Sequence, residues 1–429
     1  MHPRLPQPLT RLVVALLVGF ALLAAACGGG DDGDETGADD TAGDTDSGST
    51  DDTGDDASDT DDDAAPTTTE VPLAPPTTRG PAPVLEVEPV TSIGAITIIA
   101  DEPAYRGLLG QLAPQRNIVP AVALPPAEAP AGIAPLTGLP LADPSIAERP
   151  AILAKIDNTD KGRPQAALTQ ADIVYVTQIE GGTTRLIAAF HSQTPEEIGP
   201  VRSGRTTDIA IFRGYDNPIF VWSGANVVTG RIIRPYQMVD LGAGTRDEYY
   251  RDRDRPGSYD LMTDPSVLWA IAEELGDGAP PPVQFEYRNA TTGHPLSALD
   301  AGDIRIDYSS ATVEYVWDPA LEVYRRSQNG TPHVDADEME IRPANVIVAE
   351  VGSITTGMID TAGSSVGEQQ FIGSGRGWVF TDGKVIEVTW TKPSLASVPT
   401  WTTPDGVPVP LTPGQTWVEL APVGATSYG

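Results

Sequence analysis

The residues best suited to chemistry lie in residues 179–205, where a Glu-Gly-Gly turn, an apolar segment and a Gly-Pro turn follow one another. This stretch carries Arg185, Arg202 and Arg205, and Arg163 lies shortly before it. Guanidinium groups bind carboxylates and phosphates through charge-assisted hydrogen bonds that are often bidentate. The spacing therefore predicts a site at which several arginines converge on an anionic group.

An alternative is that the same arginines are neutralised within the protein. Four acidic residues are close enough in sequence to pair with them, namely Asp157, Asp172, Glu180 and Asp208. Internal ion pairs of this kind stabilise a fold without binding any ligand. The sequence does not decide between an anion site and internal pairing.

Two of these carboxylates deserve separate treatment because they could act as a pair. Glu180 precedes two glycines, whose backbone freedom allows a side chain to point into a cleft, and Asp157 ends a predicted strand. Two carboxylates with different pKa values are the equipment of glycoside hydrolysis. Turn capping and arginine pairing explain both residues more simply. We therefore assign no catalytic residue and predict a binding site formed by Asp157, Arg163, Glu180, Arg185, Arg202 and Arg205.

Other catalytic and cofactor motifs do not fit. Ser203 and Ser223 lie in neither a G-x-S-x-G nor an S-x-x-K pattern. The histidines beyond the N-terminus are widely separated and lack the H-E-x-x-H spacing, so we expect no metal. Residues 373–377 contain glycines without the following Lys-Ser/Thr of a nucleotide loop, so we expect no cofactor. His333, near Asp335 and Arg325, is the most interesting histidine, although a hydrogen-bonded turn is its simpler interpretation.

The N-terminus predicts export. Two arginines precede an apolar run of about 15 residues that ends in small residues before Cys27, which is the only cysteine in the chain. We predict a signal peptide at residues 1–26 and lipidation of Cys27, since the cysteine follows the run as in a bacterial lipobox, with Ala24 where leucine is usual. Cleavage near Ala26 without lipidation is the alternative. Several acyl chains on a lipoprotein anchor it stably in a membrane.

Residues 27–134 have the composition of a tether. The first part uses little except Asp, Gly, Thr, Ser and Ala, and the second part is rich in proline, so neither predicts a packed core. The whole chain has 27 basic and 60 acidic residues, giving a net charge of −33. Nucleic acid is therefore an improbable partner, because phosphate backbones require a basic surface.

Local patterns divide the remaining chain into two parts. Residues 135–280 alternate strands with helices, and residues 266–275 give the clearest helix, with Asp264 as N-cap and Pro265 in its first turn. Residues 281–429 contain short β segments separated by turn signals such as Asp382-Gly383. We predict an α+β protein in which a mixed α/β N-terminal domain (135–280) precedes a mostly antiparallel β C-terminal domain (281–429).

Spaced motifs in both parts resemble the YerB-like bacterial lipoproteins, a two-domain family of unknown function. In the first part they are Pro135-Leu136-Thr137-Gly138, Ile156-Asp157-Asn158 with Arg163-Pro164-Gln165, Ala171-Asp172-Ile173-Val174-Tyr175, Glu180-Gly181-Gly182 with Thr184-Arg185, and Ile198-Gly199-Pro200-Val201-Arg202-Ser203 with Arg205. In the second part they include Asn345-Val346-Ile347-Val348, Asp382-Gly383-Lys384 and Pro413-Gly414-Gln415-Thr416-Trp417. The resemblance supports two domains and implies no reaction. One departure is Ser258-Tyr259-Asp260-Leu261, where the family leads us to expect Pro-His-Asn-Leu.

Together these observations predict a lipid-anchored protein on the extracytoplasmic face of a bacterial cell membrane. We expect a binding or scaffold protein that recognises an anionic wall polymer or an envelope protein. The alternative is a cell-wall hydrolase that uses the Glu180 and Asp157 pair with arginine clamps. Carboxylates in an open groove would favour the hydrolase, whereas carboxylates buried against arginines would favour the binding protein.

Overall fold

The computed structural model describes residues 128–429 except residues 244–247, 290–291, 296 and 360–363. The predicted signal peptide, the predicted lipidation site at Cys27 and most of the predicted tether lie outside the described residues. The described part starts at Glu128, and Ile133 pairs with Pro140 in an isolated bridge just ahead of the first strand.

The described residues contain three α-helices: α1 (Thr207–Phe212), α2 (Val227–Ile233) and α3 (Pro265–Leu275). Strands of the first part are β1 (Ile152–Asp157), β2 (Ile173–Gln178), β3 (Thr184–Phe190), β4 (Ile219–Val221), β5 (Val239–Asp240), β6 (Tyr249–Arg251) and β7 (Leu261–Thr263). Those of the second part are β8 (Leu299–Asp300), β9 (Asp303–Tyr308), β10 (Ala311–Asp318), β11 (Val323–Gln328), β12 (Thr331–Pro332), β13 (Asn345–Val351), β14 (Ser353–Ile359), β15 (Ser365–Gln369), β16 (Gly373–Thr381), β17 (Lys384–Lys392), β18 (Thr400–Thr402), β19 (Thr416–Pro422) and β20 (Thr426–Tyr428).

Helix α3 and the hairpin turns form for the reasons expected from the sequence. Asp264 accepts a hydrogen bond from the Ser266 amide at 2.8 Å, and Gly276 ends α3 in the left-handed conformation. The turn between β16 and β17 places Asp382 at φ 56° and Gly383 at φ 66°, the positive values that a tight hairpin turn requires. Both predictions are confirmed.

The largest sheet combines strands from both parts of the chain. Its order is β18-β17-β16-β13-β19-β2-β3-β1-β4-β5, and β8 pairs with β17. Strand β19 lies between β13 and β2 and runs parallel to both, whereas most other neighbours in the second part are antiparallel. The predicted α+β class, with a mostly antiparallel second part, is confirmed. The two parts share one sheet through β19, and the exact boundary near residue 280 stays a prediction.

Each face of the large sheet buries its own core. Along β1, Ile152, Ala154 and Ile156 pack into a core shared with the second sheet, which has the order β12-β11-β10-β9-β20. Leu153 points the other way, into a core shared with α1 and α2. Side chains alternate between the faces because successive residues of a strand point to opposite sides. We call the first side the inner face and the second side the helical face.

Candidate functional site

Strand register brings the first candidate residues together. Lys155 and Asp157 follow Leu153 at the strand repeat of two, so both point to the helical face. Asp157 is paired with Arg185 across the β1–β3 ladder, and Arg185 is paired in turn with Thr177 of β2. The three strands therefore place charged side chains side by side at one end of the sheet.

The loop after β3 adds two more arginines. Its backbone is held against β1, because the Asp157 amide donates to the Pro200 carbonyl at 3.0 Å and the Arg202 amide donates to the Lys155 carbonyl at 2.8 Å. The Arg202 Nε then lies 3.0 Å from Asp157 Oδ2. Neither atom forms a well-aligned hydrogen bond, so the contact is electrostatic only. The other oxygen of Asp157 accepts from the amide and hydroxyl of Thr159 at 2.7 and 2.5 Å.

Glu180 forms the best-aligned ion pair of the site. Its two oxygens accept hydrogen bonds from Nε and Nη2 of Arg205, each at 2.7 Å, and both side chains are largely buried. The glycines after Glu180 adopt positive φ values of 71° and 75°, which lets the turn fold back tightly. Planar bidentate pairing of this kind leaves neither oxygen of Glu180 free for a substrate.

A second buried pair was missed by the predicted site. Lys155 lies fully buried, and its Nζ donates to Asp208 Oδ1 at 2.6 Å and to Thr177 Oγ1 at 3.0 Å. Burial lowers the pKa of Lys155 to about 8; Asp208 opposes this change, and the nearby Arg185 and Arg205 add to it. Asp208 also accepts from the Arg205 amide at 2.7 Å. Lys155 and Asp208 are therefore members of the same charged group.

We call this group the arginine cluster and define it as Lys155, Asp157, Glu180, Arg185, Arg202, Arg205 and Asp208. It holds four cationic side chains and three carboxylates. Each carboxylate is in contact with a cationic partner, namely Asp157 with Arg202, Glu180 with Arg205 and Asp208 with Lys155. Arg185 is the one cation of the cluster that no carboxylate of the described residues contacts.

Arg185 is enclosed but incompletely bonded. Its side chain lies among the buried residues at 7% exposure, and Nη1 donates to the Ser203 carbonyl at 2.9 Å. The Nε–H group is buried and has no hydrogen-bond partner among the described residues. Burial, together with the positive charges of Arg205 and Arg202, lowers the pKa of Arg185 to about 10, and the charges of Asp157 and Glu180 oppose this change. Arg185 therefore stays charged at neutral pH, and its Nε–H lacks an acceptor among the described residues.

Arg163 does not join these contacts. Its guanidinium pairs with Asp160, three residues earlier in the chain. Asp172, considered as a possible arginine partner, instead accepts from the backbone amides of His191 and Ser192. Burial raises the pKa of Asp172 to about 6. The structure therefore joins five of the six predicted site residues and places Arg163 in a local pair.

The segment Ser258-Tyr259-Asp260-Leu261, which departs from the family pattern, lies beside the arginine cluster. The Arg202 guanidinium lies 4.9 Å from the centre of the Tyr259 ring, and its Nη1 donates to the Ser258 carbonyl at 2.5 Å. Tyr259 thus occupies the position at which the resemblance predicts a histidine. A cation over an aromatic face is stabilised by the ring quadrupole. In this chain the position packs against an arginine and offers no imidazole.

A second polar cluster lies on the inner face, between the two sheets. We call it the buried bridge and define it as Tyr308, Tyr315, Arg326, His333 and Glu419. Glu419 accepts from the hydroxyls of both tyrosines at 2.6 Å. The Arg326 guanidinium donates to Tyr315 at 3.1 Å and to His333 Nδ1 at 2.6 Å, and it lies 3.9 Å from Glu419. The predicted neighbour of His333 was Arg325, but the residue that contacts it is Arg326.

His333 is a structural residue in this arrangement. Because Nδ1 accepts from Arg326, Nε2 carries the proton and donates to Gln165 Oε1 at 2.8 Å. Gln165 in turn donates to the Asp157 carbonyl at 2.8 Å. The interpretation of His333 as a hydrogen-bonded histidine fits these contacts, and the chain of bonds connects the buried bridge to the backbone of the arginine cluster.

Three further features concern metal ions, membranes and cavities. Within the described residues, no His, Cys, Asp and Glu side chains are grouped in threes or more as a metal ion would need. The same part of the chain has no helix with the length and apolarity to cross a membrane. A surface cavity of about 430 Å³ lies apart from the predicted site residues and is lined by Ala166, Ala167, Gln170, Thr194, Pro195, Glu196, Glu197, Ala336 and Asp337.

Comparison with known proteins identifies the family of the chain. Residues 136–277 match the N-terminal domain, and residues 304–418 the C-terminal domain, of the family described as "Protein of unknown function (DUF3048)". The chain belongs to the DUF3048 family. A relative from Bacillus subtilis (strain 168), named "Putative lipoprotein YerB", is 30% identical over 306 residues, which cover 67% of this chain and 86% of the relative. The crystal structure of YerB protein from Bacillus subtilis matches with a TM-score of 0.59 and 28% identity, over 69% of this chain and 99% of that one.

These matches confirm the resemblance to the YerB-like family. The two family models follow the order of the two predicted parts, and the relative carries the name of a lipoprotein.

The predicted site did not include Lys155, although the sequence contained a signal for it. A lysine inside the apolar run Ile152–Asp157 is unusual, and its spacing of two from Asp157 puts both on one face. The partner, Asp208, comes from α1 and could not be assigned without the fold.

Proposed function

We propose that this protein is a lipid-anchored binding or scaffold protein on the extracytoplasmic face of a bacterial cell membrane, and that the arginine cluster recognises an anionic wall polymer or an anionic segment of an envelope protein. The lipid would be carried by Cys27, which follows the predicted signal peptide. The name of the YerB relative supports a lipoprotein.

The observation that carries the binding role is the incomplete bonding of Arg185. A buried polar group without a partner costs free energy, and the cost is larger for a charged group. Arg185 has a buried Nε–H without an acceptor, and it has two arginines as neighbours. An anion at this position would accept from Arg185 and balance the surplus positive charge of the cluster. Binding would therefore recover free energy that the unliganded protein lacks.

The carboxylates support a binding protein over a hydrolase. Both oxygens of Glu180 are occupied by Arg205, and Asp157 is fully buried between Thr159 and Arg202. A general acid or base must reach the proton that it transfers. Neither carboxylate can do so without first breaking its ion pair. These contacts match the arrangement that we expected for a binding protein.

The test is sedimentation of the full-length protein, purified in detergent, with purified bacterial cell walls. We expect the wild type to sediment with the walls and to release no soluble sugar. Arg185→Gln should lose most of this binding, because it removes the guanidinium charge and the Nε–H that has no acceptor among the described residues. Arg376→Gln is the matched control, since Arg376 is exposed and pairs with Glu387 on β17.

Two outcomes would count against the proposal. Equal wall binding by the wild type and Arg185→Gln would remove the arginine cluster from the function. Release of soluble sugar that disappears in Glu180→Gln would establish the hydrolase instead. Membrane anchoring is tested separately by Cys27→Ser, which should move the protein from the membrane fraction to the soluble fraction.

A further inference from the structure

We infer that the anion recognised at the arginine cluster is a phosphoryl group. This inference rests on the proposed function and names the chemical class of its ligand. It depends on hydrogen-bond donors of Arg185, Arg202 and two serines, which come from separate segments of the chain.

The first donors are the two arginine Nε–H groups. That of Arg185 is buried without a partner, and that of Arg202 lies close to Asp157 without a well-aligned bond. Arg202 is held in place by other contacts, since its Nη1 donates to Ser258 and its guanidinium stacks on Tyr259. The two guanidinium groups are close enough for the charge of Arg202 to lower the pKa of Arg185. An acceptor bound between them would bond to both.

Hydroxyl groups supply the second set of donors. Ser203 Oγ and Ser223 Oγ share a long hydrogen bond of 3.4 Å, which leaves one hydroxyl hydrogen of the pair for an outside acceptor, and both side chains are half-buried. The Ser203 carbonyl accepts a hydrogen bond from Nη1 of Arg185. The Ser223 amide donates to the Arg202 carbonyl at 3.0 Å. Each serine is therefore tied by a direct backbone bond to one of the two arginines.

A phosphoryl group suits this donor set better than a carboxylate does. A carboxylate has two oxygens in one plane and is saturated by one guanidinium, as Glu180 and Arg205 show within the same cluster. A phosphoryl group is tetrahedral, and its oxygens accept from donors that do not share a plane. Arginine and serine side chains are both common phosphate-binding groups. The surplus of one cation over the carboxylates also favours an anionic ligand.

Phosphate monoesters and phosphodiesters share this chemistry, so the experiment includes both. Full-length protein in detergent is titrated calorimetrically with glycerol 3-phosphate, with glycerophosphoglycerol and with succinate as the carboxylate probe. We expect at least one phosphoryl probe to bind about tenfold or more tightly than succinate. Arg185→Lys keeps the charge but loses Nε–H, and it should weaken phosphoryl binding about tenfold. Arg376→Lys, the exposed control, should bind like the wild type.

Ser203→Ala provides a second variant in case Arg185→Lys fails to fold, which circular dichroism will show. It should weaken phosphoryl binding about fivefold and leave succinate binding unchanged. Succinate binding that equals or exceeds phosphoryl binding, and still depends on Arg185, overturns the phosphoryl inference while the proposed function stands. The same holds if no probe binds but wall sedimentation depends on Arg185. Phosphoryl and wall binding that are both insensitive to Arg185 overturn the inference and the proposed function together.

Discussion

The arginine cluster and the buried bridge lie on opposite faces of one sheet, and they differ in how completely their charged groups are hydrogen-bonded. In the buried bridge, Arg326 donates to Tyr315 and His333, and Glu419 accepts from two tyrosines. In the arginine cluster, the buried Nε–H of Arg185 has no hydrogen-bond acceptor in the part of the chain that the structure describes. A fully bonded network specifies the packing of a core, whereas an incompletely bonded charge leaves a donor that an external acceptor can satisfy.

The difference can be traced to the surroundings. Arg326 is 2% exposed and lies between two sheets, with the Trp417 ring 4.6 Å from its guanidinium. The arginine cluster lies where β1 and β3 meet a loop, and Arg202 is 24% exposed. Burial on all sides requires every polar group to be bonded within the protein. Partial exposure permits one partner to come from outside.

The largest expected effect is on the buried bridge. Arg326→Met should lower the free energy of unfolding by about 3–5 kcal/mol, because it leaves Glu419 and His333 buried without their common partner. Denaturant unfolding measures the change. Arg325→Met is the control on the same strand: Arg325 is exposed and pairs with Glu340, so the expected change is within about 0.5 kcal/mol. Similar small changes in both variants would show that the bridge is not needed for stability.

The next effect concerns two neutral histidines. Burial lowers the pKa of His191 to about 4, with Arg149 adding to it, and burial and Arg326 lower the pKa of His333 well below its ordinary value. Below pH 6.5 the unfolded chain binds more protons at these positions. Their stabilising contribution is therefore complete above pH 6.5 and decreases as the pH falls, by about 3 kcal/mol at pH 4 for His191.

Asp172 changes stability in the opposite sense over an overlapping range. Its pKa is raised to about 6 by burial, so the folded protein binds more protons there as the pH falls from 6 toward 4. Total stability would mix the two effects, and each imidazole must be followed separately. NMR of the histidine ring nuclei should show His191 and His333 neutral in the folded protein at pH 5.5. Protonation of His333 near pH 6.5 without unfolding would contradict the bonding pattern of the bridge.

A smaller effect is expected at the turn after Glu180, which contacts the second sheet. Gly181 and Gly182 both have positive φ, and their carbonyls accept from the Ser310 hydroxyl and amide in the turn between β9 and β10. A Cβ at Gly182 would lie 2.5 Å from Ser309 Cβ, whereas one at Gly181 would meet nothing within 4 Å. Alanine costs about 1 kcal/mol at either position through backbone strain.

Gly182→Ala should therefore cost about 1–3 kcal/mol more than Gly181→Ala, because it adds a steric clash. Unfolding of the two variants side by side measures the difference. Equal costs would mean that the turn moves freely away from Ser309, and that the second sheet does not fix the position of Glu180.

The smallest stability effect is expected at Arg185. Arg185→Met should change the free energy of unfolding by no more than about 1 kcal/mol, since it removes an incompletely bonded charge that two arginines repel. The same substitution costs several kcal/mol at Arg326. A loss at Arg185 as large as that at Arg326 would show that both clusters are structural and would end the contrast between them.

Much of the fold could be predicted because it follows from local chemistry. The apolar run of β1, the Asp264 cap and the Asp382-Gly383 turn each act over a few residues, and all formed as expected. Strand order could not be predicted in this way. Thr416 of β19 pairs with Ile173 of β2, and no local sequence pattern predicts a partner so distant in the chain.

The candidate site shows the same division. Glu180 and Arg205 pair across 25 residues, which the Glu-Gly-Gly turn made plausible, whereas Arg163 pairs with Asp160 although its sequence looked equally suited to the cluster. Residue type predicts the chemistry that is available. Register and loop placement decide which side chains meet, and they depend on contacts throughout the sheet.

The most direct test is calorimetric binding of a purified anionic wall polymer to the full-length wild type and to Arg185→Gln, together with the unfolding free energy of both. The predicted result is that the variant binds at least about tenfold more weakly while its stability stays within about 1 kcal/mol of the wild type. Unchanged binding in a stable variant would contradict the claim that Arg185, with its unpaired Nε–H, receives an anion.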